Sequence, residues 1–341
     1  MKTLVINAGS SSIKYQLFDM ESSIVLAAGL AERIGESYGR IKHRLPNSDQ
    51  HLEIILDIKI NDHRQGLFKI VELLTDSRFG VIESPKEIQA IGHRVVHGGD
   101  KFSQPTVITE DVRATIKELS HLAPLHNPAN LTGIEVATEV FPKATQVAVF
   151  DTAFHQTMPA NSYRYAIPQT LYDDHRIRSY GFHGTSHLYV SKLAIDYLGI
   201  PVEKSRIITL HLGNGASVTA VKGGKSVDTS MGFSPLPGLI MGTRSGDIDP
   251  AIVFYLGRNM GMSFDEIDSL LNKKSGLIGI CGDNDLRDIQ KRSEDGDPSA
   301  QLAMEMYSYR IKKYIGAYVA ALNGLDALVF TAGAGENNSA V

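Results

Sequence analysis

The sequence predicts an α/β fold in two domains, and three observations lead to that prediction. The chain has 341 residues, which is more than one hydrophobic core of ordinary size holds. Short apolar strand patterns alternate along the chain with segments of helical spacing. Two Gly-rich turns, Asn7–Lys14 and His211–Ser217, each follow a strand pattern and lead into another strand. Because these strand–turn–strand units begin at Leu4 and Arg206, they predict a weak internal duplication of one α/β domain.

The first half of the chain alternates strand patterns with amphipathic segments. Strands are predicted at residues 4–6, 13–17, 88–96 and 145–150, with β-rich stretches at 24–45 and 52–60. Helical spacing is found at residues 63–79, 109–119 and 128–140. Thr109 has the side chain of an N-cap for the second of these helices. We therefore predict an N-terminal domain at residues 1–150.

The second half begins after Asp151 with an irregular stretch rich in Pro and Tyr. Strands are then predicted at residues 206–212, 218–221 and 325–331. Helices are predicted at residues 186–198, 249–260, 263–272, 285–293 and 298–322. We therefore predict a C-terminal domain at residues 151–341.

The composition is that of a globular protein without an excess of basic residues. The 34 Lys and Arg residues are outnumbered by 38 Asp and Glu residues, a formal net charge of −4, which disfavours binding to nucleic acid. Cys281 is the only cysteine, so no intrachain disulfide can form, as is typical of a reducing compartment. No apolar run approaches the roughly 20 residues that span a bilayer, and the apolar segment before Asn7 is too short for a signal peptide. We therefore expect a cytoplasmic protein that binds neither nucleic acid nor membrane.

The first Gly-rich turn concentrates the groups that a phosphate needs. Gly9 allows close approach of the backbone, and Ser10 and Ser12 add hydroxyl donors beside the backbone amides. Lys14 adds a cation on the following strand, and the side-chain oxygen of Asn7 can face Mg²⁺ directly or through water. For this segment taken alone, an ordinary hairpin turn is the alternative.

The second turn repeats this pattern in the other half of the chain. The segment His211–Gly215 leaves a buried strand pattern, and two such turns indicate a nucleotide held between two domains. A third Gly-rich segment, Gly333–Asn337, could abut the nucleoside, the alternative being a strand-to-helix turn. A P-loop is excluded, because the motif ending Gly224-Lys225-Ser226 requires its first glycine where Thr219 stands.

Three charged side chains stand at predicted strand ends or in Gly-rich loops. Arg94 and Arg244 could stabilise charge on a transferring phosphoryl group and hold a carboxylate. Asp151 directly follows a strand and could orient Mg²⁺ or a nucleophile. Taken singly, an Arg is more often a salt-bridge partner. Two interpretations of these residues therefore stay open: a role in phosphoryl transfer, or an ordinary structural ion pair.

Zinc and thiol chemistry are disfavoured by the spacing of the residues that could support them. The pairs His93/His97 and His183/His187 have i,i+4 spacing without the Glu of a HExxH motif. Cys281 has no convincing base beside it in the sequence, so a cysteine nucleophile is not expected.

An ordered set of motifs runs over nearly the whole chain. The N-terminal motifs NAGSSSIK, HRVVHGG and APLHNP stand at residues 7–14, 93–99 and 123–128. The central motifs FDTAFH, YGFHGTSH and HLGNGAS stand at residues 150–155, 180–187 and 211–217. The C-terminal motifs MGTRSGDIDP, DLR and FTAGAGEN stand at residues 241–250, 285–287 and 330–337. Together these motifs resemble the acetate kinase (acetokinase) family.

The resemblance implies a phosphotransferase with a carboxyl group as acceptor. Its reaction would be reversible, Mg²⁺- or Mn²⁺-dependent phosphoryl transfer from ATP to acetate, giving acetyl phosphate and ADP by direct in-line transfer. The implied fold is that of sugar kinases, actin and heat-shock ATPases, with two duplicated actin-like ATPase (ribonuclease H-like) domains around a central nucleotide cleft. Nucleotide binding by the C-terminal domain and assembly as a homodimer are also implied.

The resemblance further implies a role for each matching residue. Asp151, His183 and Arg244 would be catalytic, and the last two would stabilise the transition state. Arg94 would bind the substrate carboxylate, and Asn7 would help to hold Mg²⁺. The pocket for the acyl group would be formed by Val96, Leu125, Phe182 and Pro235. The ATP site would be formed by Lys14, Ser10, Ser12, His211, Leu212, Gly213, Asn214, Gly215, Asp285, Leu286, Arg287, Gly333, Ala334, Gly335, Glu336 and Asn337.

The implied acyl pocket favours acetate over propionate. Val96 leaves little room beyond a methyl group, and one methylene is worth ~1–3 kcal/mol of discrimination. A propionate kinase or another short-chain acyl kinase is the near alternative. A sugar kinase is disfavoured, because Arg94 and the histidines suit an anion better than a polyol.

Two departures from the family pattern bear on these expectations. The chain ends at Val341, whereas family members continue for several dozen residues that carry a Mg²⁺-binding Glu and a final helix. A nucleotide-binding protein with impaired catalysis is therefore the expectation if the protein naturally ends there. The segment Gly282-Asp283-Asn284 stands where the family usually has small Ser or Gly residues, which could alter the nucleotide contacts.

Overall fold

The structure, a computed structural model, describes residues 1–47, 52–124 and 126–341. The chain divides into two compact units, Met1–Ala153 and Phe154–Val341. Each unit combines a β-sheet with helices, which confirms the predicted α/β class. The predicted domain boundary after residue 150 stays a prediction. None of the described helices combines the length and the apolar character needed to cross a membrane.

A mixed sheet forms the framework of the first unit. Its strands are β1 (Lys2–Gly9), β2 (Ser12–Asp19), β3 (Ile24–Glu32), β4 (Gly39–Arg44), β5 (Glu53–Ile58), β6 (Ile88–Val95), β7 (Thr106–Val107) and β8 (Thr145–Phe150). The sheet order is β5-β4-β3-β2-β1-β6-β8-β7. The strands from β1 to β5 pair antiparallel with their chain neighbours, whereas β6 pairs parallel with both β1 and β8. The carboxyl ends of β1, β6 and β8 therefore meet at one edge of the sheet.

The core of the first unit lies between this sheet and its helices. The helices are α1 (His63–Leu74), α2 (Glu110–Glu118) and α3 (Asn127–Val140), with short 3₁₀ turns at Pro85–Glu87 and Leu119–His121. Alternate residues of β1, Leu4 and Ile6, point into a hydrophobic cluster that includes Leu67 and Ile70 of α1 and Ala137 of α3. Full burial of each leucine or isoleucine contributes about 1.5–3 kcal/mol.

The local sequence predicts the start of α2 correctly and the end of α1 incorrectly. Thr109 is the N-cap of α2 as predicted, and its side chain accepts a hydrogen bond from Val112 N. The predicted helix 63–79 is too long, since α1 ends at Leu74. The chain turns at Asp76, whose carbonyl oxygen accepts a hydrogen bond from Gly80 N at 2.7 Å.

The second unit has a smaller sheet surrounded by helices. Its strands are β9 (Arg206–Leu212), β10 (Ala216–Lys222), β11 (Lys225–Thr229) and β12 (Ala327–Thr331), in the order β11-β10-β9-β12. Its first helices are α4 (Ala160–Tyr163), α5 (Gln169–His175), α6 (Gly184–Leu198), α7 (Ala251–Met260) and α8 (Phe264–Lys273). The later helices are α9 (Gly276–Cys281), α10 (Leu286–Glu294), α11 (Pro298–Leu322) and α12 (Ala332–Asn337). Short 3₁₀ turns lie at Ala153–Thr157 and Val202–Lys204.

The two sheets share one arrangement of strands. In the first unit, the hairpin β1–β2 is extended by β6, which is parallel to β1. In the second unit, the hairpin β9–β10 is extended by β12, which is parallel to β9. This repetition confirms the predicted duplication of the strand–turn–strand unit.

The third Gly-rich segment is helical, which corrects its prediction as a turn. Residues Gly333–Asn337 lie within α12. The helix can begin directly after β12 because the Glu336 carboxylate accepts hydrogen bonds from Ala332 N and Thr331 Oγ1, both at 3.1 Å. The segment is thus a strand-to-helix transition, and its contact with the nucleoside stays a prediction.

His43 and His93 are buried in the first unit and hydrogen-bonded to neutral groups. His93 Nε2 lies 2.7 Å from Gln146 Oε1, and His43 Nδ1 lies 2.5 Å from the Tyr15 hydroxyl. Burial lowers the pKa of each histidine to about 4. Both rings are therefore neutral in the folded protein at pH 7.

Mild acid is expected to destabilise the first unit. The folded pKa values of about 4 lie below the ordinary 6.5, so between these limits the unfolded chain binds protons that the folded chain does not. The contribution of His43 and His93 is therefore complete above pH 6.5 and is lost as the pH falls through 4. Each such proton changes the free energy of unfolding by about 1.4 kcal/mol per pH unit. Urea denaturation at neutral pH and near pH 5 measures the slope, which His93→Gln should reduce; an equal slope in this variant would contradict the assignment.

Close packing of α3 on β1 requires a glycine at position 133. An ideal Cβ on Gly133 would lie 2.5 Å from the Cβ of Ala8, far inside van der Waals contact. Gly316, inside α11, has nothing within 4 Å of its ideal Cβ. The two helical glycines therefore form a matched pair.

Gly133→Ala is expected to destabilise the protein by about 1–3 kcal/mol, because the helix has to move away from the strand. Gly316→Ala should be neutral or stabilise by about 0.5–1 kcal/mol, since alanine restricts the unfolded chain and favours the helix. Urea denaturation of both variants measures the difference. Equal changes in the free energy of unfolding for the two variants would show that the contact with Ala8 does not affect stability.

Candidate active site

Arg94 and Asp151 form an ion pair at the edge where β6 and β8 end. Arg94 lies in β6, and Asp151 is the residue that follows β8. Arg94 Nε donates to Asp151 Oδ1 at 3.0 Å, and Nη2 donates to Oδ2 at 2.6 Å. Asp151 is only 3% exposed, and its charge raises the pKa of Arg94 above its ordinary value. The structure therefore brings the predicted carboxylate-binding and catalytic side chains of this unit into direct contact.

Two asparagines of α3 hold the loop that follows β6. Asn130 Oδ1 accepts a hydrogen bond from Val96 N at 3.0 Å, while Asn130 Nδ2 donates to Ala8 O at 2.7 Å. Asn127 exchanges two hydrogen bonds of 3.0 Å with the backbone of His97. Sequence reasoning missed both residues. The available signal was the amide of Asn130 on the face of helix 128–140 that its apolar residues predict to be buried, with a second amide, Asn127, directly before that helix.

The first Gly-rich turn is a hairpin in which most of the polar candidates lie on the strands. Asn7 of β1 and Lys14 of β2 are directly opposite each other in the register. Both line a concavity of 590 Å³ on the sheet face, to which Lys42 and Arg44 of β4 also contribute. The turn itself consists of Ser10 and Ser11, and Ser12 is the first residue of β2. The structure thus places Asn7 and Lys14 together on a cationic surface.

A cavity of 890 Å³ in the second unit collects many of the residues predicted for ATP. The predicted residues that line it are Gly213, Asn214, Asp285, Leu286, Arg287, Gly333, Ala334 and Asn337. They come from the β9–β10 turn, the start of α10 and α12, three segments that are far apart in the sequence. The predicted ATP residues of this unit that do not line it are His211, Leu212, Gly215, Gly335 and Glu336, and Ser10, Ser12 and Lys14 belong to the first unit.

Gly242 and Gln290 line the same cavity and were not predicted. An ideal Cβ on Gly242 would clash with Asn214 Oδ1, so a larger residue would displace the Asn214 side chain. Gly242 N also donates to Asn214 O at 3.1 Å. This packing joins the β9–β10 turn to the loop between β11 and α7.

Asp285 organises the start of α10 at the cavity wall. Its carboxylate accepts hydrogen bonds from Arg287 Nη2 at 2.5 Å and from Arg287 N at 2.9 Å. The side-chain and backbone hydrogen bonds from Arg287 lower the pKa of Asp285 to about 2. Asp285 is therefore an anion that caps the helix and orients the neighbouring guanidinium.

His183 and Arg244 meet at the β9–β10 turn. An ideal Cβ on Gly215 would lie 3.5 Å from Arg244 Nη1 and 3.6 Å from His183 Cε1. Arg244 Nη1 also donates to Pro235 O at 3.1 Å. The ring of His183 stacks on that of His211, with centroids 4.2 Å apart. The structure therefore brings the predicted catalytic residues of the second unit together, beside Pro235.

Arg244 stands on a loop that is closed by Asp247. Asp247 Oδ1 accepts from Gly238 N at 2.8 Å, and Asp247 N donates to Gly238 O at 3.1 Å. Tyr314 donates its hydroxyl to Asp247 Oδ2 at 2.6 Å, and Arg310 Nη1 donates to Gly238 O. Burial, with a further contribution from the Asp247 hydrogen bond, raises the pKa of Tyr314. The loop that carries Arg244 is thus anchored on α11.

The residues predicted for the acyl pocket belong to both units. Val96 is buried in the first unit, and its backbone is held by Asn130. In the second unit Phe182 is buried, and its carbonyl oxygen lies 2.9 Å from His155 Nε2. Leu125 lies outside the described residues.

Divalent-cation binding is compatible with the side chains near Asn7. Across residues 1–47, 52–124 and 126–341, no cluster of three or more His, Cys, Asp or Glu side chains could hold a metal ion by itself. Mg²⁺ does not need such a cluster, because it keeps several waters and takes nucleotide phosphates as ligands. Asn7 offers an amide oxygen from β1 beside the Lys14 strand. The donor set fits a cation that binds together with a nucleotide.

Comparisons with known proteins agree with this geometry. The sequence profile of the acetokinase family matches residues 2–341. An acetate kinase from Oleidesulfovibrio alaskensis is 55% identical over 342 residues, which cover 100% of this chain and 85% of the relative. The crystal structure of acetate kinase from Porphyromonas gingivalis has a TM-score of 0.93 and 49% identity, covering 98% of this chain and 84% of that one. A propionate kinase from Francisella tularensis has a TM-score of 0.93 and 46% identity, covering 99% and 85%.

The fold and the site define a phosphotransferase with a carboxyl group as acceptor, built on the duplicated actin-like ATPase fold. The predicted fold and enzyme class are thereby confirmed. The chain belongs to the acetokinase family, as the resemblance implied. Membership implies ATP as a substrate and a dependence on a divalent cation.

Proposed function

We propose that the chain catalyses reversible phosphoryl transfer from ATP to acetate, giving acetyl phosphate and ADP. A carboxylate oxygen of acetate attacks the γ-phosphorus in line, and the bond from that phosphorus to the bridging oxygen of ADP breaks. The observation that carries this proposal is the Arg94–Asp151 pair at the carboxyl ends of β6 and β8, in a chain of the acetokinase family. The pair offers a fixed guanidinium where an anionic substrate can bind.

The chemistry needs positive charge more than it needs a base. Acetate is already an anion at pH 7, so the barrier comes from repulsion between the carboxylate and the phosphoryl oxygens. The hydrogen bonds to Asp151 use Nε and Nη2 of Arg94, so we assign Nη1 to the acetate carboxylate. Asp151 is assigned the catalytic role of fixing that guanidinium and orienting the divalent cation.

We assign the 890 Å³ cavity of the second unit to ATP, because its size suits a nucleotide. Gly213 and Gly333 allow close backbone approach there. Beside this turn, His183 and Arg244 converge at Gly215, and we assign them to the charge that develops on the transferring phosphoryl group. Lys14 is assigned to the ATP phosphates.

We assign the divalent cation as Mg²⁺, with Mn²⁺ as a substitute, and Asn7 as a residue that would hold it. When bound, the cation neutralises charge on the phosphate oxygens and helps to align the transfer. A homodimer, a cytoplasmic location and the two-domain boundary after residue 150 are part of the same proposal.

The proposal is tested by measuring acetyl phosphate as its hydroxamate, with ATP and acetate as substrates. The protein should form acetyl phosphate, and Asp151→Asn should lower kcat by on the order of 10²–10³, because the charge that holds Arg94 is lost. A matched control is Asp57→Asn, which removes the charge from an exposed Arg40–Asp57 pair between β4 and β5. Absence of acetyl phosphate, or full activity of Asp151→Asn, would refute the proposal.

Acetate is expected to be preferred over propionate, and Val96 is expected to set that preference. Val96→Ala should raise kcat/KM for propionate relative to acetate by about tenfold, the effect of room for one methylene. Val95→Ala is the control, because Val95 packs with Ile134 and Phe150 in the core and should lower stability alone. Steady-state kinetics with both acids measure the ratio, and a ratio that Val96→Ala leaves unchanged would remove Val96 from the acyl pocket.

A further inference from the structure

We propose that Ser217 is a positioning residue that keeps the proton of His183 on Nε2. The inference rests on the proposed function, in which His183 stabilises charge on the transferring phosphoryl group. Four side chains form a hydrogen-bonded row from Thr209 through His187 and Ser217 to His183. The successive distances are 2.7 Å from Thr209 Oγ1 to His187 Nδ1, 2.7 Å from His187 Nε2 to Ser217 Oγ, and 2.9 Å from Ser217 Oγ to His183 Nδ1.

The row follows from the way α6 starts above the β9–β10 hairpin. His183 precedes α6, and His187 N donates to His183 O at 3.0 Å, so both rings project from one helical turn. Ser217 of β10 lies opposite His211 of β9, which brings its hydroxyl between the two rings. The His183 ring also stacks on His211, which fixes its plane. The i,i+4 spacing thus allows both histidine rings to hydrogen-bond to the hydroxyl of Ser217.

Burial keeps His187 neutral, and this sets how many N–H and O–H donors the row contains. Thr209, His187 and Ser217 have no exposed surface, so bulk water cannot reach their polar atoms. Burial, together with the neighbouring histidines, lowers the pKa of His187 well below its ordinary value. His187 is therefore neutral, with one ring nitrogen that donates and one that accepts.

With a neutral His187, the row has two possible directions. In the first, Thr209 donates to His187 Nδ1, His187 Nε2 donates to Ser217, and Ser217 donates to His183 Nδ1. In the second, every donor and acceptor is exchanged, and His183 Nδ1 carries the proton. Ser217 supplies one hydroxyl hydrogen in either case, so the direction chosen at one end is transmitted to the other.

Thr209 selects the first direction. In the second, His187 would donate to Thr209 Oγ1, and the hydroxyl hydrogen of Thr209 would need an acceptor of its own. In the part of the chain that the structure describes, the hydrogen bond of this hydroxyl is the one to His187. A buried hydroxyl hydrogen without an acceptor carries the full cost of its desolvation. The first direction avoids that cost because Thr209 is then the donor.

When His183 is neutral, the first direction leaves its proton on Nε2. This nitrogen can then donate a hydrogen bond to a phosphoryl oxygen, whereas an unprotonated Nε2 would direct a lone pair at it. Ser217 acts on the reaction through His183 and without touching the substrate.

The test combines kinetics with ¹⁵N NMR of histidine-labelled full-length protein. The wild-type His183 ring should show the Nε2–H tautomer, and Ser217→Ala should mix the tautomers. The same variant should lower kcat for acetyl phosphate formation by about tenfold to a hundredfold, with KM for acetate and ATP changed by less than about twofold. Thr209→Val should act in the same direction, while Thr209→Ser, which keeps the hydroxyl, should restore both readouts.

The matched control is Ser191→Ala on α6. Ser191 is buried one helical turn after His187, but its hydroxyl donates to Leu188 O in the same helix. This variant should keep kcat and the His183 tautomer. A loss of kcat in Ser191→Ala as large as in Ser217→Ala would reduce the role of Ser217 to helix packing and overturn the inference.

Other outcomes separate this inference from the proposed function. An Nδ1–H tautomer of wild-type His183, or an unchanged kcat in Ser217→Ala, would overturn the role of Ser217 while acetate kinase activity stands. If the wild type forms no acetyl phosphate, the proposed function fails, and the NMR tautomers still decide whether the row sets the proton of His183. If Ser217→Ala does not fold, the comparison of Thr209→Val with Thr209→Ser decides the same question.

Discussion

The parallel pairing of β6 with β1 and β8 is the constraint on which the site of the first unit depends. In this register Arg94 lies opposite Val149, close to the end of β8, so its side chain reaches Asp151 just beyond that end. The carboxylate is almost completely buried, which is tolerated because two guanidinium nitrogens donate to it. The order of the strands thus converts two distant positions in the sequence into one rigid pair of charges.

In the second unit, the hairpin β9–β10 has the corresponding role. Its turn presents Gly213 and Asn214 to the large cavity, while the strand residues His211 and Ser217 face each other beneath His183. The same strand arrangement therefore carries different chemistry in the two units. The first hairpin exposes Lys14 and Asn7 on a sheet face, and the second buries a row of hydroxyl and imidazole groups.

Much of the framework could be predicted from the sequence because its signals are local. The strand–turn–strand units, the cap at Thr109 and the long helix α11 follow from periodicity and side-chain chemistry within a few residues. The motifs also predicted that His183 and Arg244 belong together. The contacts of Asn130, Gly242 and Ser217 could not be predicted, since they join distant segments; Asn130 and Ala8 are 122 positions apart. The helix α12 was missed because its first turn is stabilised by its own Glu336, in a stretch whose glycines indicate a turn.

The amide of Asn130 has a mechanical consequence. It donates to Ala8 O, near the end of β1, and accepts from Val96 N, just beyond β6. One side chain therefore links two neighbouring strand ends. Sliding one strand end past the other would break both bonds inside a buried environment, where each lost partner is costly. The first hairpin turn and the residues after β6 are therefore mechanically coupled through the Asn130 side chain.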